Sequence, residues 1–291
     1  MRYRPLGARG QVVSAISLVL RPDAQRRSAA DWVSLIYAAL ECGISGFEIR
    51  AVDDALGEGL AQALRGFDRG MAFVALRTAG QRGKAASLAE VGKEVKATLT
   101  STRLGHLDAV LLHEAFAPKA GSLGDLGALK SGGVVRALGV AGDGEGVDAL
   151  IADGALDVLA TGFSLLSGWA ERRRVRDAVA CDMAVLGYGA YPREQLGPLV
   201  ERRAKDRANP LAGIGGYGFL ETTRDWTAEE LCLAYALTET SLASVLVRPQ
   251  SIEHLERLAA VADRDLPAGV AAQIEMARFS TFGEDDARRT A

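Results

Sequence analysis

Short apolar runs alternate along this chain with longer amphipathic segments. The apolar runs are rich in Val, Leu, Ile and Ala and show little polar alternation, which is typical of strands buried on both faces of a parallel sheet. Eight such strands are predicted, at Val12–Val19, Gly46–Ile49, Met71–Leu76, Leu107–His113, Val134–Val140, Val158–Phe163, Ala184–Tyr188 and Ser244–Arg248.

The segments between these strands have the apolar spacing of helices that pack one face on a core. The predicted helices are Ala30–Cys42, Leu88–Leu99, Val147–Ala152, Ala170–Ala180, Ala228–Leu237 and Ile252–Val261. Strands that alternate with helices over about 250 residues favour an α/β fold of the (β/α)8 TIM barrel type. An open doubly wound sheet would place a glycine-rich turn directly after its first strand. Leu20-Arg21-Pro22 stands there instead, so we expect one barrel domain over residues 1–291.

Two segments depart from this alternation. Residues 190–226 contain three prolines and several glycines and are predicted as a long loop over the C-terminal face, where barrels of this type carry their sites. The glycine-rich run Gly213–Gly218 lies inside this loop and does not join a strand to a helix, so we interpret it as flexibility and not as a phosphate cradle. The charged tail, residues 281–291, is predicted to be frayed.

Composition narrows the class of protein. The 34 Lys and Arg stand against 37 Asp and Glu, with a net charge of −3, so no basic surface for nucleic acid is expected. No apolar run reaches the roughly 18 residues that a membrane span requires. Cys42, Cys181 and Cys232 are far apart and lack metal-ligand spacing. We expect a cytoplasmic protein with a small-molecule ligand, no nucleic-acid or membrane partner, and no protein partner that the sequence identifies.

Five segments occur in the order and spacing of a known family. They are Met1–Gly7 with Val13-Ser14, Ala38–Ile44, Thr102–Gly105 with Leu107–His113, Gly133–Val140 and Arg248–Leu255. Together they resemble the aldo-keto reductases over nearly the whole chain. The resemblance implies a (β/α)8 barrel with an N-terminal β-hairpin across its bottom, which binds NADPH without a Rossmann fold.

The resemblance also implies a catalytic set that this chain departs from. The family uses a proton-donating tyrosine, a lysine paired with an aspartate, and a histidine that orients the carbonyl. Asp53 stands at the tyrosine position, Ala79 at the lysine position and Glu48 at the aspartate position, while His113 is retained. A one-residue slip would instead bring Arg77 near the place of the lysine. Because an exposed aspartate is ionised at neutral pH, we expect tyrosine-type carbonyl reduction to be lost.

The positions implied for the cofactor are only partly retained. Tyr188 stands where the family stacks an aromatic ring on the nicotinamide. Arg248 and Ser251, at the start of the last helix of the pattern, are placed to receive a phosphate at a helix N-terminus. Ala141-Gly142 and Ala160 replace the residues that hold the nicotinamide amide in the family. The sequence therefore leaves open whether the chain binds NADPH.

Three functions follow from these residues. The first is a barrel that has lost catalysis and acts as a small-molecule-binding or regulatory protein. The second is an NAD(P)H-dependent oxidoreductase with an atypical proton donor drawn from Asp53, Glu48 and His113. The third is a non-redox or metal-assisted enzyme that uses the same three side chains, although their spacing is not a metal signature. A fold alone does not choose among them.

Overall fold

The computed structural model of this chain describes residues 1–7, 10–78, 88–114, 127, 130–205 and 216–289. Two short strands form an N-terminal hairpin, β1 Tyr3–Pro5 and β2 Val12–Ser14. The other strands are β3 Ile16–Leu20, β4 Gly46–Ile49, β5 Phe73–Arg77, β6 Ala109–His113, β7 Leu138–Ala141, β8 Val158–Gly162, β9 Ala184–Tyr188 and β10 Ser244–Val247. These eight are all parallel and close in chain order, with β10 paired to both β9 and β3.

Helices connect the barrel strands and surround them. They are α1 Ala29–Glu41, α2 Asp54–Leu64, α3 Leu88–Thr102, α4 Glu145–Asp153, α5 Trp169–Ala180, α6 Arg193–Lys205, α7 Phe219–Thr222, α8 Ala228–Thr238, α9 Ile252–Val261 and α10 Val270–Arg289, with a 3₁₀ turn at Arg69–Met71. In the described part of the chain, none of these helices combines the length and the apolar character that a membrane crossing requires. The closed barrel and its hairpin confirm the fold class that the sequence predicts.

The prediction of one strand over Val12–Val19 is wrong, because the chain changes sheets at Ala15. The N–H of Ala15 donates to the carbonyl of Arg2 at 2.9 Å, and its carbonyl accepts from the N–H of Val245 at 2.8 Å. The segment before it therefore belongs to the hairpin and the segment after it to the barrel. An uninterrupted apolar run hides such a change of partner.

Four helices lie where the sequence pattern predicts none, namely α2, α6, α7 and α10. Two glycines interrupt the pattern of α2, and they let it pack closely, since a Cβ at Gly59 would overlap Trp32 of α1. The predicted loop over residues 190–226 contains α6 and α7, and Pro198 lies inside α6. Residues 206–215 of that loop are outside the described residues. The predicted tail is helical through Arg289 as the end of α10.

Two of the three clusters of buried residues in the described part of the chain form layers that the strands separate. Alternate strand residues pack outward against the helices, where Trp32, Ile36 and Phe47 are fully buried. The intervening residues fill the barrel and are small, with many alanines. Leu6 and Val13 of the hairpin belong to this inner layer, so the hairpin covers the bottom of the barrel, as the resemblance implies.

A cavity of about 950 Å³ lies at this bottom end, between the hairpin and the first residues of several strands. Its charged groups pair with one another. Asp108 contacts Arg69 at 2.7 Å and Arg136 at 3.3 Å, and Asp157 contacts Lys130 at 2.9 Å. None of the predicted site residues lines it, and barrels of this architecture carry their sites at the opposite end. We therefore look for the site at that other end, the mouth, where the strands reach their carboxyl ends.

Candidate functional site

Strand alternation points the polar residues of three strand ends into the mouth. Side chains two positions apart share one face of a strand. Ala75, Leu111 and Leu186 lie in the inner layer of the barrel, and two residues beyond each of them come Arg77, His113 and Tyr188. Glu48 is the cross-strand neighbour of Ala75 and shares its inward direction. The structure thus directs Glu48, Arg77, His113 and Tyr188 toward the same end of the barrel interior.

Glu48 lies between two arginines. Its side chain is only 1% exposed, and its Oε2 accepts a hydrogen bond from Nε of Arg50 at 2.6 Å. Its Oε1 lies 3.9 Å from Nη1 of Arg77, whose side chain is 16% exposed. This second contact is an ion pair too long for a hydrogen bond. Among the described residues, Oε1 of Glu48 and Nη1 of Arg77 are both buried without a hydrogen-bond partner.

This geometry favours Arg77 as the cation of the mouth. The assignment of Ala79 to the lysine position concerns a residue outside the described ones. Arg77, the alternative that the sequence leaves open, lies beside Glu48, which stands at the position of the lysine's aspartate. The mouth therefore contains a buried acid–cation pair, and the interpretation that the cation is missing needs this correction.

Asp53 caps a helix. Its carboxylate accepts a hydrogen bond from the N–H of Leu56 at 2.8 Å, and its backbone is extended, as an N-cap requires. The residue is exposed to solvent. The structure thus shows a structural role for Asp53, and its role as a proton donor stays a prediction.

Tyr188 lies at the end of β9, between a carboxylate and two guanidinium groups. Its hydroxyl donates to Oδ2 of Asp143 at 2.6 Å, while the guanidinium of Arg77 lies 4.7 Å from its ring centroid and that of Arg50 6.0 Å. Burial and the hydrogen bond to Asp143 raise the pKa of Tyr188, and the charge of Arg77 opposes this only in part. Burial also raises the pKa of Tyr191, which lies close by. Both tyrosines are therefore weaker acids than a free phenol.

Two acidic residues that the sequence interpretation did not single out shape the next part of the mouth. Oδ1 of Asp143 accepts hydrogen bonds from Oγ1 of Thr161 at 2.9 Å and the N–H of Gly162 at 2.6 Å. Oε2 of Glu114 accepts from the N–H groups of Asp143 and Gly144 at 2.7 and 2.8 Å, at the start of α4. A Cβ at Gly142 would overlap the Glu114 side chain. A side chain at this position would therefore need Glu114 to move, and Glu114 following directly on His113 was the available signal.

The predicted phosphate-binding residues already have partners within the chain. Oγ of Ser251 accepts from the N–H of His254 at 3.1 Å and caps α9. Arg248 lies 3.7 Å from Asp23, and Arg26 donates to the carbonyls of Pro249 and Gln250. Arg248 nevertheless lines the same groove as Tyr188. For NADPH these residues fit in part, with Tyr188 and Arg248 able to reach one ligand and Ser251 acting as a cap.

Two grooves open at the mouth on either side of Tyr188. The first, which we call the arginine groove, has a volume of about 350 Å³ and is lined by Arg50, Tyr188 and Arg248 among others. The second, the acidic groove, has a volume of about 650 Å³ and is lined by Asp143, Glu171 and Glu194, with Arg193. The two grooves share the segment from Tyr188 to Tyr191 but present opposite charges.

Metal ligation has no supporting cluster at this mouth. Within the described ranges, no group of three or more His, Cys, Asp and Glu side chains is arranged to hold a metal ion. The metal-assisted hypothesis for Glu48, Asp53 and His113 therefore gains no observation from the structure.

Comparison with known proteins agrees with this architecture. No protein-family model and no curated protein matches the chain. Among solved structures, the holo form of the aldo-keto reductase AKR11C1 from Bacillus halodurans is similar, with a TM-score of 0.73, 20% identity and coverage of 94% of this chain and 95% of that one. PA4992 from Pseudomonas aeruginosa, provisionally named an aldo-keto reductase, has a TM-score of 0.62 and 19% identity over 89% and 93%. The chain therefore has the (β/α)8 barrel fold of the aldo-keto reductases.

Proposed function

We propose that this chain is a small-molecule-binding barrel with the aldo-keto reductase fold that does not reduce carbonyl compounds by tyrosine-type acid catalysis. The observation that carries the proposal is the state of the proton donor. Asp53, at the position of the family's tyrosine, is an exposed helix cap. Tyr188 and Tyr191 have raised pKa values, which disfavours proton donation to a developing alkoxide near neutral pH.

The charged residues of the mouth support binding better than proton transfer. Arg77 presents guanidinium N–H groups, which can donate hydrogen bonds to a ligand. Glu48 is buried between two guanidinium groups and faces them as their nearest carboxylate. This arrangement can hold and orient a polar ligand.

An activity assay tests the proposal. The natural protein is incubated with NADPH and a panel of simple aldehydes, and we expect no turnover above background, because loss of general-acid help costs about 10²- to 10⁴-fold in rate. The matched variant is Asp53→Tyr with Arg77→Lys, which restores the family's donor and cation. Activity in this variant alone would show that the acid is what the natural chain lacks. Robust aldehyde reduction by the natural protein would overturn the proposal.

A second candidate is an NAD(P)H-dependent oxidoreductase with an atypical proton donor. The arginine groove favours it, because Tyr188 and Arg248 line one opening, and because one structural neighbour is an aldo-keto reductase in its holo form. When bound, the cofactor would supply a hydride. Titration with NADPH, followed by nicotinamide fluorescence, tests this candidate. Micromolar binding that weakens in Arg248→Ala, and not in Arg224→Ala on the surface, would support it.

We also propose that the protein works in the cytoplasm. Cys42, Cys181 and Cys232 are all free thiols in the structure, which suits a reducing compartment. A regulatory role and a protein partner are also proposals, and among the described residues none is assigned to either.

A further inference from the structure

We propose that the arginine groove binds the carboxylate of a small organic acid, with Arg50, which lines the groove, as the residue that recognises it and Arg77, beside the ring of Tyr188, adding positive charge. This inference rests on the proposed function, because it takes the mouth as a ligand-binding site and then names the chemistry of the ligand.

Positive charge at the arginine pair exceeds the negative charge beside it. Glu48 is one buried carboxylate facing two guanidinium groups, so one positive charge is left uncompensated within this trio. The Nε–H of Arg50 donates to Glu48, and the Arg50 side chain is 32% exposed. Within the part of the chain that the structure describes, its two Nη groups make no hydrogen bond. They form the planar fork that matches a carboxylate in two parallel bonds.

Arg77 adds one buried donor atom to this arrangement. Its Nη1 is buried and has no hydrogen-bond partner among the described residues, and neither has Oε1 of Glu48, 3.9 Å away. A buried polar atom without a partner is costly. A ligand oxygen that accepts from Nη1 of Arg77 relieves the cost at that atom, and a water molecule between the two atoms, which accepts from Arg77 and donates to Glu48, relieves both. The site is therefore built to gain from an incoming acceptor.

The wall of the groove suits the body of an organic acid. Tyr188 lines the groove and presents its ring within 4.7 Å of the Arg77 guanidinium and 6.0 Å of the Arg50 guanidinium. Its hydroxyl is turned to Asp143, which leaves the ring as an apolar surface. The volume of about 350 Å³ accommodates a small acid such as an aromatic carboxylate or a dicarboxylate.

The neighbouring groove explains why the acid binds on one side of Tyr188. The acidic groove carries Asp143, Glu171 and Glu194 against one arginine, Arg193. In the arginine groove the lining carboxylate is Glu229, and His254 contacts it at 3.1 Å. An anion is thus repelled by the acidic groove and attracted by the arginine groove, which gives the mouth a preference for orientation as well as for charge.

The test compares acids with their uncharged amides. The full-length chain is titrated with benzoate, succinate and glutarate, and with the corresponding amides, and the change in Tm is followed. We expect stabilisation by at least one carboxylate and none by its amide. Arg50→Gln removes the charge of a half-buried side chain and keeps an N–H donor for Glu48, and each variant is compared with its own ligand-free Tm. It should weaken binding of that carboxylate about 10- to 100-fold, the usual effect of losing a charge-assisted hydrogen bond. Arg50→Lys should lose part of this affinity, and the control Arg193→Gln, in the acidic groove, should keep all of it.

Three outcomes would overturn the inference. They are equal stabilisation by acid and amide, stabilisation by inorganic phosphate and by no carboxylate, and no response to any of these anions at millimolar concentration. Each leaves the proposed function standing as long as the aldehyde assay shows no turnover. Aldehyde reduction by the natural chain would overturn the proposed function itself, whatever the anions do.

Discussion

At the scale of single residues, Glu48 is the carboxylate of the mouth that Arg50 and Arg77 both contact. Its buried carboxylate is stable there because Arg50 hydrogen-bonds to one oxygen and Arg77 lies near the other. Sequence reasoning identified Glu48 as a site residue and assigned the position of its cation to Ala79, which has no charge, or, after a slip, to Arg77. Residues 77 and 79 are two positions apart, and side chains at that spacing share one face of a strand, so the alternation of faces does not distinguish them. The contact between Glu48 and Arg77 favours Arg77.

Replacement of Glu48 should therefore destabilise the barrel. Glu48→Gln leaves Arg77 buried without its counter-charge, and loss of one partner of a buried ion pair costs about 3 kcal/mol. The free energy of unfolding in urea measures this loss. The control is Glu58→Gln, which removes the solvent-exposed pair with Arg103 and should cost less than about 1 kcal/mol. Equal losses in the two variants would contradict the arrangement of the mouth.

Tyr188 predicts a dependence of stability on alkaline pH. Burial and its hydrogen bond to Asp143 raise its pKa in the folded state, whereas the unfolded chain ionises its tyrosines at about pH 10. A raised pKa stabilises the fold fully below about pH 10, and this contribution is lost as the pH rises above that value. Denaturation in urea at pH 8 to 11 should show a smaller alkaline loss in Tyr188→Phe than in the natural protein. Tyr37→Phe, at the surface, should leave the loss unchanged.

At the scale of helices and strands, the bounds of an element are predicted best where all of its apolar residues face a single environment. The strands Gly46–Ile49 and Ala184–Tyr188 and the helix Ile252–Val261 are confirmed to the residue, because each has a single apolar environment and clear stops. Prediction fails where a glycine or a proline lies inside a helix, as in α2 and α6. It also fails at Ala15, where one apolar run joins two sheets. Such partners are distant along the chain and leave no local pattern.

The role of Asp53 as the start of α2 can be tested against its neighbour. Asp53→Ala removes the side chain that accepts from Leu56 and should lower the free energy of unfolding by about 1 kcal/mol, the usual cost of losing an N-cap. Asp53→Ser keeps a capping oxygen and should recover most of it, and Asp54→Ala should have less effect. Carboxylate affinity should stay within a factor of about two in all three variants, since a cap affects stability and not recognition. A selective loss of affinity in Asp53→Ala would instead place this residue in the ligand site.

At the scale of the whole molecule, the first residues of the chain close the barrel on its last elements. Besides its strand pairing, the hairpin reaches the C-terminal part through Met1, whose amino group contacts Asp263 at 2.8 Å. Arg4 makes the stronger link, since its guanidinium donates to the carbonyls of Leu237, Glu239 and Leu242. These carbonyls lie at the C-terminal end of α8 and in the segment that joins it to β10, the strand that completes the ring. The resemblance predicted the hairpin, but carbonyl partners more than 230 residues away leave no trace in a sequence.

Arg4 should consequently matter more for stability than its place in a short terminal strand suggests. Arg4→Ala removes a half-buried cation from three carbonyl groups, and hydrogen bonds to a charged donor contribute about 1.5–3 kcal/mol each when counted singly. Because the carbonyls regain water in the variant, we expect a net loss of about 2–4 kcal/mol in urea denaturation. Arg2→Ala, which removes an exposed ion pair with Asp265, should cost less than about 1 kcal/mol. Hydrogen exchange should accelerate around residues 237–242 and in β10 of Arg4→Ala before it changes at the mouth. If exchange rises equally in all strands, Arg4 supports the barrel as a whole and not the seam between its last strand and its first.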